Sequence, residues 1–151
     1  MSLEAFLAGA GLDAEVIRLG EGTSTVERAA EALGVIAVRI IKSVLFQAKD
    51  GECVLVIAAG TARVDTKKLT AVVGRGGWRL AAPGVVQAVT GYPAGGTPPV
   101  GHATKLRVLM DAKAVGLDEV YGGGGAVDAM LRIRIADIRR LTGAGVHDLT
   151  S

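Results

Sequence analysis

A lysine inside an apolar run is the first residue placed to do chemistry. Lys42 sits in Ile40-Ile-Lys-Ser-Val-Leu-Phe46, and lysine is seldom fully buried unless it is paired. On a strand, period two puts Ile40, Lys42, Val44 and Phe46 on one face, and Ile41, Ser43 and Leu45 on the other. Two readings fit Lys42. It is an edge residue reaching water along its apolar stem, or a positioned functional cation. The second candidate is the loop Thr90-Gly-Tyr-Pro-Ala-Gly-Gly-Thr-Pro-Pro-Val-Gly-His102. Its glycines permit close backbone approach to a ligand and its prolines stiffen it. A long connection governed by turn chemistry has the same composition. The third is Gly122–Gly125, after an expected strand. Exposed N–H groups there would suit a carboxylate, carbonyl or phosphate, and a flexible bend is the alternative. His102 is either a hydrogen-bonding group at the loop end or a surface histidine.

Several familiar patterns fail on inspection. Gly96-Thr-Pro-Pro-Val-Gly101-His-Ala103 has the glycine spacing of a P-loop, but His102 and Ala103 stand where Lys and Ser/Thr are required. Pro98 and Pro99 also remove two N–H groups that would cradle phosphate. Gly74-Arg-Gly76-Gly77 lacks the last glycine of a dinucleotide fingerprint and follows an expected helix, not a strand. No serine lies in a G-x-S-x-G elbow. Cys53 lies in an apolar strand and reads as a small buried hydrophobe.

The elements that must position these groups follow from local chemistry. Residues 3–9 and 13–18 read as short amphipathic pieces. Ser24 and Glu27 match a capping box before a helix that stops at Gly34. A strand is expected over about Arg39 to Gln47. Lys49-Asp-Gly-Glu52 is the hairpin turn into a second strand, Cys53 to Ala58. That strand is apolar on both faces and should be central. Asp65 can cap a helix reaching Val73 and ended by Gly74, and Pro83 opens another that ends near Thr90-Gly91. Strands follow at Leu106–Met110, Glu119–Tyr121 and Ala129–Ile135. Asp137 to Leu141 is a closing helix ended by Gly143. Strands adjacent to strands as well as to helices predict an α+β fold rather than a doubly wound parallel sheet.

The chain has 151 residues, enough for one domain over 1–151 with a real core. Half of it is apolar and only 3% aromatic, so the core is aliphatic and disorder is excluded. The longest run free of charge and glycine, Cys53 to Ala59, falls far short of the ~20 residues that span a bilayer. No targeting signal is recognisable, so a cytoplasmic location is expected. One cysteine and two histidines are too few for a structural zinc site. Net charge is +2, but Arg63, Lys67, Lys68, Arg75 and Arg79 fall in one short stretch. They form a solvated face, or they meet a phosphate backbone.

The three candidate segments occur in an order that resembles the YbaK/ProX-type aminoacyl-tRNA deacylases, whose domain is also inserted in bacterial prolyl-tRNA synthetases as an editing module. The likeness runs from about Thr23 to Gly143. It is carried by Ala29-Ala30-Glu31-Ala32-Leu33-Gly34, Ile41-Lys42-Ser43-Val44-Leu45-Phe46 and Val64-Asp65-Thr66-Lys67-Lys68-Leu69. Thr90-Gly91-Tyr92, Gly95-Gly96-Thr97-Pro98-Pro99-Val100-Gly101-His102, Val120-Tyr121 and Asp137-Ile138-Arg139-Arg140-Leu141-Thr142-Gly143 complete it. The resemblance implies a single mixed α/β domain with a curved, largely antiparallel sheet flanked by helices. It implies hydrolysis of the ester of mischarged tRNA carrying a small amino acid (Cys, Ala or Ser), without metal or cofactor. A second sieve of this kind is needed because a synthetase pocket rejects near-isosteric side chains poorly.

Carried over residue by residue, the resemblance makes Lys42 and Gly101 catalytic. It makes Thr25, Ser43, Gly95, Gly96, Pro99, His102, Gly123 and Gly124 substrate-binding. The partners implied are mischarged tRNA and an aminoacyl-tRNA synthetase, with the protein a monomer or homodimer and no membrane involved. Thr97-Pro98 replaces the Val-Ser of many relatives, and Ala126-Val127-Asp128 stands where many carry polar or basic residues. A non-catalytic tRNA- or partner-binding module of the same fold is the alternative function, and a Schiff-base enzyme using Lys42 is a third.

Overall fold

A computed structural model describes residues 2–20 and 25–151. The central strand explains the architecture. In β3 (Cys53–Ala59) the side chains from Val54 to Ala58 are fully buried on both faces. It pairs antiparallel with β2 (Ile41–Gln47) through the Asp50-Gly51 turn, in the register Gln47↔Cys53 to Ile41↔Ala59. On its other side it pairs in parallel with β5 (Arg107–Asp111), which pairs in parallel with β8 (Gly145–His147). The two-residue β4 (Arg79–Leu80) covers only Phe46 and Gln47 of β2, so the N-terminal part of β2 keeps an open edge.

Period two then sorts the core. Leu55 and Ile57 face a cluster with Ile41, Leu45 and Met110, while Val54 and Val56 face Phe46, Leu69, Trp78 and Leu149. Burying both faces needs a layer on each. One face carries helix α3 (Thr66–Val73) and the C-terminal segment. The other carries a separate antiparallel sheet of β1 (Glu15–Arg18), β7 (Ala129–Arg134) and β6 (Glu119–Gly123). Helices α1 (Leu3–Ala10), α4 (Pro83–Thr90) and α5 (Ile135–Thr142) flank that core. The fold is a mixed α/β domain with sheets flanked by helices, and four of its six strand pairings are antiparallel. The single sheet expected is two, joined by one bridge, Ile40↔Tyr121.

Helix α2 (Val26–Leu33) is held by Ala29 and Ala30 against Ile40 and Met130. Its N-cap is Thr25, whose hydroxyl accepts from the Arg28 N–H at 3.1 Å. Ser24, the cap expected from the sequence, lies outside the described residues. Asp65 caps α3 by accepting from the N–H groups of Lys67 and Lys68, as its position predicts. Arg39 is in a short 3₁₀ turn (Ala37–Arg39), so β2 starts two residues later than expected. Gly122 and Gly123 belong to β6 itself rather than following it.

Candidate active site

The open edge of β2 forms the floor of a pocket of about 220 Å³. A strand inside a sheet shows alternate residues to a cavity, but here consecutive Ile41, Lys42, Ser43 and Val44 all line it. That is possible because the edge beside them carries no strand. Helix α2 brings Thr25 and Val26. The glycine-rich loop brings Gly95 and Thr97, and the second sheet brings Gly123 and Met130.

The Lys42 ammonium makes no hydrogen bond or ion pair with a described residue. Partial burial pushes its pKa below that of an ordinary lysine, and the nearby Arg63 cation lowers it further. Ser43 Oγ is buried with no hydrogen-bond partner. A buried hydroxyl left unmatched is costly unless water or a ligand meets it. Thr25 spends an acceptor on the helix end and keeps its proton to donate. Among the described residues the pocket therefore offers one cation and two hydroxyl donors between aliphatic side chains and backbone, with no carboxylate or imidazole lining it. That set suits an uncharged ester or carbonyl group that gains negative charge.

The wall opposite β2 is made by two backbones in contact. The loop crosses β6 so closely that a Cβ on Gly123 would lie 2.1 Å from the Thr97 carbonyl oxygen, and one on Gly96 would lie 2.6 Å from the backbone of Ala126. The Gly125 N–H donates to Gly96 O at 2.8 Å and seals the crossing. The loop is also braced within itself. Thr97 Oγ1 donates to Pro93 O (3.1 Å), and Tyr92 Oη donates to Gly101 O (3.1 Å).

The predicted residues therefore separate. Thr25, Lys42, Ser43, Gly95 and Gly123 meet in one pocket. Gly96 and Pro99 are buried behind its wall. Gly101 and His102 line a separate cavity with Phe6 and Leu141, and Gly124 lines a third beside Tyr92. Thr97 and Met130 were not singled out by sequence. Met130 reaches the pocket through β1–β7–β6 pairing, for which no short-range signal exists. Cys53 is half-buried and its thiol pKa is raised by burial and by Glu52, which disfavours the thiolate.

His102 is part of the bracing, with a ring nitrogen, Nε2, 2.7 Å from Pro98 O. Burial lowers its pKa more than that bond raises it, so the neutral ring donates to the carbonyl. Below pH ~6.5 the unfolded chain binds a proton here more readily than the folded chain. Stability should fall as pH drops from there to the lower folded pKa, then level off. A His102→Gln variant should lose this component in melting scans against pH. An unchanged profile would remove His102 from the account.

The comparisons with known proteins fit this geometry. The aminoacyl-tRNA editing domain matches residues 20–141. The chain belongs to that family. It is 31% identical over 119 residues to YwhH of Bacillus subtilis (strain 168), covering 79% of this chain and 75% of that protein. It is 37% identical over 111 residues to the proline–tRNA ligase of Nitratidesulfovibrio vulgaris (strain DP4), covering 74% of this chain but only 19% of the ligase. Among solved structures it is similar to a protein proposed to be a trans-editing enzyme for prolyl-tRNA synthetase. That structure superposes at a TM-score of 0.90 with 36% identity, over 99% of this chain and 94% of the other. As an editing domain the chain has its family segment spanning α2 to α5, and every residue that lines the Lys42 pocket lies within it. Among the described residues no helix is long and apolar enough to cross a membrane.

Proposed function

We propose that this chain is a hydrolase that removes a small, wrongly attached amino acid (cysteine, alanine or serine) from tRNA in trans. The observation that carries the reading is Lys42, unpaired among the described residues, in a pocket otherwise lined by aliphatic side chains, hydroxyls and backbone. The aminoacyl group enters that pocket. Water attacks the ester carbon, the carbonyl π electrons move to oxygen, and the Lys42 ammonium stabilises the oxyanion. The intermediate collapses with cleavage of the bond to the ribose oxygen. That oxygen takes a proton derived from the water, leaving free amino acid and intact tRNA.

Among the described residues no titratable side chain other than Lys42 lines the pocket, and the attacking water gives its proton to solvent or to a group of the substrate. Thr25 and Ser43 donate to the amino acid or the ribose. Gly95 and Gly123 give the wall its close approach. Gly96, Pro99, Gly101, His102 and Gly124 act by positioning the loop and β6. The partners are mischarged tRNA and the synthetase that produces it, in the cytoplasm where both work.

The test is deacylation of a panel of small amino acids on proline and alanine tRNAs. Release from one or two pairs, at rates well above the protein-free control, is expected. Tight binding of mischarged tRNA without turnover would replace the hydrolase with a binding module. Borohydride trapping of Lys42 on a carbonyl compound would point to Schiff-base chemistry instead.

A further inference from the structure

Lys42 also lines a second cavity, of about 400 Å³, which shares Lys42 and Val44 with the aminoacyl pocket. Its apolar floor comes from Val44, Phe46 and Leu80. Pairing places Leu80 directly across from Phe46, and period two aligns Phe46 with Val44 and Lys42. Leu80 is 65% exposed there, a poor position for leucine on a two-residue edge strand unless something covers it. Arg63 and Arg79 flank this floor, and no carboxylate lines the groove.

The charge bookkeeping across residues 63–79 separates these two arginines from Lys68 and Arg75, and Lys67, also without an ion pair among the described residues, does not line the groove. Lys68 is bound to Asp148 at 2.9 Å. Arg75 pairs with Asp50 and Glu52 and lies over Trp78. Asp65 is turned to the N-terminus of α3. Arg63 and Arg79 have no ion pair among the described residues, and the Arg63 cation acts on Lys42. Three cations thus converge on one apolar groove, at a cost in mutual repulsion that an anion would relieve.

We propose that this groove seats the single-stranded RNA immediately upstream of the reacting terminus, with Arg63 and Arg79 on its phosphates and a base on Leu80. The proposal rests on the editing reading, which places the terminal nucleotide at Lys42. A flexible polyanion that alternates charge with flat apolar rings is the ligand that this alternation of arginine and aliphatic surface fits. The groove therefore sets how tightly the tRNA end is held, while the pocket that shares Lys42 judges the amino acid.

The decisive measurement is kcat/KM against salt for wild type, the Arg63→Ala/Arg79→Ala double variant and Leu80→Ser. An Arg139→Glu variant, changed on the exposed face of α5, serves as control. On intact mischarged tRNA the double variant should lose about 10-fold. Its salt slope should shrink by about 1.4, two phosphates at ~0.7 each. On an aminoacyl-adenosine, which has no upstream phosphate, it should match wild type. Leu80→Ser should weaken KM without changing the slope. An unchanged slope, or an equal loss on the aminoacyl-adenosine, overturns the groove assignment while leaving the editing reading intact. If the wild-type protein deacylates nothing, the editing reading fails alone. The groove is then judged by titrating a short uncharged RNA of tRNA 3′ sequence, where weaker binding by the double variant supports it and equal binding overturns it.

Discussion

Replacing Lys42 with alanine should lower kcat/KM on the preferred mischarged tRNA by about 10²–10³-fold, the range for loss of one group aimed at a developing oxyanion. The melting temperature should stay the same or rise. Both halves follow from one fact. The Lys42 ammonium has no partner among the described residues, and burial and Arg63 together favour its neutral form. A lysine whose folded pKa lies below its unfolded value binds its proton less well in the folded state, so at neutral pH its charge works against folding. A residue kept at such a cost serves the reaction rather than the fold. Lys42→Met, which retains the apolar stem, should therefore melt higher than wild type while being equally inactive.

The same shift gives a pH signature. The ammonium is lost at lower pH than from an ordinary lysine, whereas an arginine stays charged. Lys42→Arg should recover part of the activity, and the wild-type advantage over it should shrink as pH rises through the lowered pKa. Deacylation by Lys42→Ala at the wild-type rate would end the assignment. So would a loss that merely tracks unfolding.

What could be read from the sequence was set by local chemistry. Asp65, Pro83 and the glycines after α2 and α5 act within a few residues of themselves, so helix ends are written locally. The double-faced apolar pattern of Cys53–Ala59 likewise forces a central strand with a layer on each side. The split into two sheets had no such signature. β4 and β8 have two and three residues, too few for a period, and both exist only because β2 and β5 present them with partners. The site was legible in part for the same reason. Lys42 stands out against its neighbours, but period two placed Ser43 on the face away from it. The side chains do alternate along β2, but a pocket at a strand edge can be lined from both faces. The open edge of β2 lets both residues line one pocket.

The glycine-rich segments show how composition can suggest the right place for an incomplete reason. Read alone, Gly95–Gly96 and Gly122–Gly125 invite a ligand to approach the backbone. In the fold, Gly96 and Gly123 are first needed so that one backbone can approach another. Gly123→Ala should therefore destabilise the protein by about 3 kcal/mol, at the upper end of overpacking costs. A Cβ 2.1 Å from the Thr97 carbonyl oxygen meets the backbone of Gly96 and Thr97 and has no flexible side chain to push away. Gly84→Ala should do the opposite. Gly84 sits in the first turn of α4 with nothing within 4 Å of an added Cβ and no positive φ. Alanine there should stabilise by about 0.5 kcal/mol through the unfolded chain. Chemical denaturation of the two variants reads both signs. Activity separates them further, because Thr97 and Gly123 line the pocket. At a temperature where Gly123→Ala is still folded, forcing the loop off β6 should widen the aminoacyl pocket. The variant should then lose selectivity against larger amino acids as well as rate. A Gly123→Ala protein as stable and as selective as wild type would mean that the crossing of loop and strand does not shape the pocket.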